Sequence, residues 1–122
     1  MSKELVLYKA FIDGLVERKD SMTALCVKGG GFPKTEDNKA KNDLLATLTP
    51  EQKGVLAGLL QEEHIAGIHT TLAYLNKMMD LDGLELRQDE VSLPNDYFES
   101  LHYDFISRCD GDEWPEIGRA HV

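Results

Sequence analysis

Basic residues are scarce in this chain, cysteine is scarcer, and no apolar run is long. Only 13 lysines and arginines stand against 22 aspartates and glutamates, a formal net charge of −9 over 122 residues. Nucleic-acid affinity comes mostly from Lys and Arg neutralising phosphates. The lysines here are dispersed (Lys3, Lys9, Lys19, Lys28, Lys34, Lys39 and Lys41 among them), with no stripe interleaved with aromatics. That argues against nucleic acid or an anionic membrane as partner, and it leaves a basic protein or a bound cation. No stretch approaches the ~20 apolar residues a spanning helix needs. No secretory signal opens the chain, because Lys3 and Glu4 lead into an interrupted apolar pattern. A cytoplasmic protein is therefore expected. The two cysteines, Cys26 and Cys109, form no CxxC pair, so neither a zinc knuckle nor a redox dithiol is indicated. Both read as small core residues.

Several catalytic signatures are also missing. There is no HExxH, no GxxxxGK[ST] and no GxGxxG after a strand. No Ser-His-Asp or Cys-His triad can be assembled from sequence neighbours. No cofactor is indicated.

What is present is ordinary globular material: 42% hydrophobic and 29% charged residues. The length suits one domain that folds without a disulfide or a metal. Leu5, Tyr8, Ile12, Leu15, Met22 and Cys26 recur in steps that place them on one helical face, with Lys19 in the one polar slot. This predicts a long first helix from a Ser2 cap to the stop at Gly29-Gly30-Gly31, followed by Pro33. Residues 27–42 read as a polar, glycine-rich connection, and a short helical turn carries Leu44, Leu45 and Leu48. In Thr49-Pro50-Glu51-Gln52, Thr49 can cap, Pro50 suits the first helical position, and Gln52 can return a hydrogen bond to the Thr49 backbone. Beyond it, Val55, Leu56, Leu59 and Leu60, then Ile68, Leu72, Leu75 and Met79, predict one helix kinked at Gly67 or two joined there. Leu84, Leu86, Val91 and Leu93 around Arg87-Gln88-Asp89-Glu90 predict a small β-hairpin ended by Pro94. The last segment, Tyr97 to Cys109, fits either period; a helix is favoured, capped by Asn95 or Asp96, closed by Gly111, with Asp104 and Arg108 paired at i, i+4. Trp114-Pro115 then folds back.

The expected fold is mainly α: a small helical bundle with one short β-hairpin between the third and last helical segments. Its expected core is Ile12, Leu15, Met22, Leu45, Leu56, Leu59, Leu60, Leu72, Leu75 and Leu101, with Trp114 closing one end. One helical domain is expected over residues 1–116. Residues 117–122 back-translate to ATCGGAAGAGCACACGTC, a string matching a common sequencing-adapter read, and are read as a translated adapter tail outside the fold.

Four constellations could carry chemistry. His69, His102, Asp104, Asp112 and Glu113 offer the imidazoles and carboxylates of an acid/base site, and His69, His102 and Asp104 those of a metal site. Their spacing is equally that of half-buried side chains hydrogen-bonded to backbone or carboxylates. His102 and Asp104 would share a face only on a strand. The glycine run Gly29–Gly31, flanked by Lys28 and Lys34, could cradle an anion; it also suits a helix stop with Phe32 tucked into the core. Asp110-Gly111-Asp112-Glu113 is too short for an EF-hand; it reads as a solvated acidic turn, or as a weak calcium-binding turn. Among the aromatics Tyr97, Phe98, Tyr103, Phe105 and Trp114, the trio Tyr97, Tyr103 and Trp114 could form a partner-binding patch beside acids, or complete a core under a loop.

Three stretches resemble a known family: Gly30-Gly31-Phe32-Pro33, Leu101-His102-Tyr103-Asp104 and Gly111-Asp112-Glu113-Trp114-Pro115-Glu116. Between them lie Leu48-Thr49-Pro50-Glu51-Gln52 and Gly67-Ile68-His69. The chain is similar over most of residues 20–116 to a family of small bacterial proteins with a domain of unknown function. The resemblance implies bacterial origin and a compact intracellular domain, and it implies no activity or catalytic residue. Two functional readings follow from the residues: an acidic binding or regulatory module acting through a protein partner, or a small metal-assisted or acid/base enzyme built on the His/Asp/Glu set.

Overall fold

The computed structural model describes residues 2–116. The tail assigned to an adapter lies outside them. Among the described residues the chain is mainly helical: α1 (Lys3–Val16), α2 (Met22–Lys28), a 3-10 turn (Glu36–Asn38), α3 (Lys39–Leu45), α4 (Pro50–Leu81), a hairpin of β1 (Arg87–Gln88) and β2 (Val91–Ser92), and α5 (Leu101–Cys109). It divides into two compact units, one formed by the chain up to Lys19 and from Ala66 onward, the other by Asp20–Ile65. Helix α4 gives its first half to the second unit and its second half to the first.

In the first unit, α1 packs along α5. Leu5, Tyr8 and Ile12 of α1 are buried with Leu72 of α4, Leu93, Phe98, and Leu101 and Phe105 of α5. Each such side chain contributes about 1.5–3 kcal/mol by leaving water. Asn76 and Asp104 are buried polar side chains of this unit. The Asn76 side-chain oxygen accepts from the Leu101 amide at 3.0 Å and from Asn95 Nδ2 at 3.1 Å, satisfying a donor that the start of α5 leaves open.

The second unit closes on Ala24, Val27, Leu45 and Ala57, with Phe32, Leu48, Leu56 and Leu60 packed against them. Asn42 accepts from the Phe32 amide at 2.9 Å and donates to its carbonyl at 3.1 Å, so Phe32 is pinned after the glycine run.

The start of α4 follows its sequence closely. The Gln52 amide donates to Thr49 Oγ1 at 3.1 Å, and Gln52 Oε1 accepts from the Thr49 amide at 2.9 Å. These two bonds make a reciprocal capping box. Helix α4 then continues past Gly67 without interruption. The hairpin forms as expected, antiparallel, with Arg87 opposite Ser92 and Gln88 opposite Val91. The last segment is a helix closed at Gly111, where φ is +89°. The Asp112 amide donates to the Ser107 carbonyl and the Gly111 amide to that of Arg108, a paired closure typical of a glycine-terminated helix.

Four expectations need correction. The long first helix breaks after Val16, because Ser21 leaves the helix and caps α2, accepting from the Ala24 amide at 3.1 Å. That restart shifts the helical phase, so Ala24 and Val27 go inside while Met22 is left 72% exposed. Leu59, assigned to the core, is 60% exposed; α4 turns the small Ala57 inward instead. Leu15, Leu56, Leu60 and Leu75, and both cysteines, are only half-buried. Helix α5 is capped by Ser100, not Asn95 or Asp96, through a 3.1 Å bond from the Tyr103 amide. Arg108 does not turn back to Asp104; it pairs with Asp13 of α1.

Candidate functional site

The side chains richest in chemistry gather in the first unit, around the contact of α1 with α5. Asp104 occupies the first turn of α5, where its carboxylate favours the positive end of the helix dipole. It is only 5% exposed. The Tyr8 hydroxyl donates to Asp104 Oδ2 at 2.5 Å, and the Glu99 amide donates to Oδ1 at 3.3 Å. Burial pushes the Asp104 carboxyl above the usual range, opposed by these two hydrogen bonds. Burial, and then the bond to Asp104, likewise push the Tyr8 phenol up.

Five residues beyond Tyr8 along α1, Asp13 holds the C-terminal segment. Arg108 Nε donates to Asp13 Oδ1 at 2.8 Å, Arg108 Nη2 to Oδ2 at 3.3 Å, and Trp114 Nε1 to Oδ2 at 3.1 Å. Arg108 Nη1 reaches the Asp112 carbonyl at 2.8 Å, and its guanidinium lies 5.2 Å from the Trp114 ring centre. Trp114 packs at a tilt on Phe98, centroids 4.9 Å apart, and on Tyr8 at 6.0 Å. The run Gly111 to Glu116 is thereby fastened back onto α1.

This arrangement leaves a cleft of about 490 Å³ whose walls include Glu99, Tyr103, Asp104, Asp112, Glu113 and Trp114. Tyr103 is 58% exposed at its edge. Asp112 Oδ2 accepts from Ser107 Oγ at 2.8 Å. Of the five proposed acid/base residues, the structure brings Asp104, Asp112 and Glu113 to this cleft. Of the partner-binding trio it brings Tyr103 and Trp114, while Tyr97 stacks edge-on against Phe98 and lines a neighbouring depression with Lys9.

The histidines stand apart from that cleft. His69 of α4 and His102 of α5 meet edge to face, ring centroids 5.2 Å apart. His102 and Asp104 are two residues apart on a helix, about 200° round its axis, so they face different ways. His102 Nδ1 is buried with no hydrogen-bond partner. Burial first, and the neighbouring His69 second, hold the His102 imidazole below its usual range, with Asp104 opposing. Among the described residues no group of three His, Cys, Asp or Glu side chains is placed to hold a metal ion.

Sequence reasoning missed Tyr8 and Asp13 as members of this site. One signal did exist, since the N–H of a packed indole needs an acceptor and the only tryptophan is Trp114.

The fold and the cleft define a mainly helical protein with Glu99, Asp104, Asp112 and Glu113 on one cleft and the His69–His102 pair elsewhere. The chain belongs to the family of unknown function DUF6547, which it matches over residues 1–116. No curated protein and no solved structure matches it significantly. No helix among the described residues is long and apolar enough to cross a membrane.

Proposed function

We propose that this protein is an acidic binding module that captures a cationic segment of a protein partner in the cleft beside α5. One observation carries this reading. Tyr103 and Trp114 flank a cleft walled by Asp112 and Glu113, while its cationic side chain, Arg108, is already engaged by Asp13. An aromatic face beside carboxylates suits a lysine or arginine side chain, through stacking on the ring and charge-assisted hydrogen bonds. The chain's net charge of −9 would speed encounter with such a partner at low salt. The separation of the imidazoles from the acids gives the metal-assisted reading no comparable support.

Titration with a short Lys/Arg-rich peptide, followed through Trp114 fluorescence, tests the proposal. Saturable binding is expected, weakened about tenfold in the Tyr103→Ala/Glu113→Gln variant and falling as salt rises. Equal response to an acidic peptide of the same length, or none to the basic one, would sink it.

A further inference from the structure

A second cleft, of about 570 Å³, lies wholly within the second unit. Its charge is opposite in character to that of the rest of the chain. Lys34 from the loop after Pro33, Lys39 from α3 and Lys53 from the first turn of α4 all line it. Glu36 and Asp43 are its acids, and Asp43 Oδ2 holds Lys39 Nζ at 2.7 Å. Three ammonium groups against two carboxylates leave a positive balance in a chain of net charge −9.

The backbone around it is fixed and open. The Gly29 and Gly31 amides close α2 by donating to the Leu25 and Cys26 carbonyls at 2.9 and 3.0 Å. Gly31 stands at φ +98° with Asn42 Oδ1 2.8 Å from where a Cβ would be, so this turn admits no side chain without movement. Around Gly30, by contrast, a Cβ would meet nothing within 4 Å. Thr35 flanks the 3-10 turn yet makes no side-chain capping bond, which leaves its hydroxyl available to the cleft.

We propose that this cleft binds a small phosphate-bearing molecule. Lys34 and Lys53 supply ammonium donors to the phosphate oxygens, Thr35 supplies a hydroxyl donor, and the glycine loop lets the anion approach the backbone closely. Leu45 and Ala46, also on its wall, offer apolar contact to the remainder of the ligand. The site is independent of the aromatic cleft in the first unit.

Amide chemical-shift titration of the intact protein with pyrophosphate, at constant ionic strength, tests it. Saturable shifts are expected at Gly29–Gly31 and Thr35, with AMP adding shifts at Leu45 and Ala46. The Lys34→Ala/Lys53→Ala variant should keep the rest of its spectrum and bind about tenfold more weakly. The proposal is overturned by a wild-type protein without saturable shifts at ~10 mM pyrophosphate, well above millimolar affinity. It is equally overturned by a folded double variant that binds as the wild type does.

Discussion

The Tyr8 hydroxyl donates to Asp104 Oδ2 across 2.5 Å, joining α1 to α5 inside the core of the first unit. Asp104 is a buried carboxyl raised above its usual range, chiefly by burial, and the Tyr8 bond acts to lower it. The sign of its pH dependence follows. Below the usual carboxylate value both folded and unfolded states are protonated, and the group costs nothing. As pH rises from there to the folded value, the unfolded chain ionises first and stability is lost. Tyr8→Phe removes a bond that favours the ionised form. It should cost about 1–3 kcal/mol at pH 7 and clearly less at pH 4. Urea midpoints at the two pH values decide the matter; equal losses at both would contradict the argument.

Asp13 is predicted to be the clasp of the C-terminal segment, since it holds both Arg108 and Trp114. Asp13→Ala should leave the guanidinium and the indole N–H without their acceptor, at a cost of about 1–2 kcal/mol. Asp13→Asn keeps one acceptor oxygen and should cost less. With a single tryptophan in the chain, emission reports directly on this contact. A red shift in the alanine variant before any global unfolding is expected; unchanged emission would show that packing on Phe98 alone seats the ring.

The contrast between Thr49 and Asp13 explains what the sequence could and could not disclose. The Thr49–Gln52 box is a local pattern, four residues long, and both of its hydrogen bonds are present. The hairpin and the helical last segment were legible for the same reason. The break at Ser21 was hidden because Met22 and Cys26 continue the apolar period of α1 by coincidence, and only the buried cap reveals the restart. The partners of Asp13 lie 95 and 101 residues away in sequence, beyond any periodicity argument. Tyr97, Tyr103 and Trp114 stand out in the sequence as aromatics near acids, but the cleft that takes in only Tyr103 and Trp114 depends on that distant clasp.

The two-residue turn of the hairpin carries backbone strain that substitution should relieve. Asp89 and Glu90 both adopt the left-handed region, at φ 51° and 64°. Aspartate tolerates it better than glutamate does. The turn joins Gln88 to Val91, where right-handed strand twist favours this conformation and glycine is the usual second residue. Glu90→Gly removes a penalty of about 1–2 kcal/mol and adds back part of it as unfolded-chain entropy. A net gain of about 0.5–1 kcal/mol is expected, because the 2.9 Å bond from Arg87 Nη2 uses only the backbone carbonyl of residue 90 and survives the substitution. A urea midpoint at or below that of the wild type would refute this.

His102 should act in the opposite sense to Asp104 as pH changes. Its imidazole is held below the usual 6.5 by burial and by His69, against the pull of Asp104. Above that usual value neither folded nor unfolded chain is protonated, and the histidine has no effect. As pH falls through it, the unfolded chain takes up a proton that folded His102 refuses, so stability declines until the folded value is passed. Over the acidic range the two effects oppose, because protonating Asp104 restores stability while withholding a proton from His102 loses it. Asp104→Asn should therefore expose a steeper acid loss, and His102→Gln should expose a gain on acidification. His69→Gln removes the neighbouring charge, so the His102 ring should titrate closer to its usual value. Ring-proton NMR of the wild type and of the Asp104→Asn and His69→Gln variants reads the His102 titration, and urea midpoints across pH read the stability effects. A His102 that titrates at or above 6.5 in the wild type would remove the basis for the whole scheme, since the unpartnered Nδ1 would then have welcomed the charge that its burial is argued to exclude.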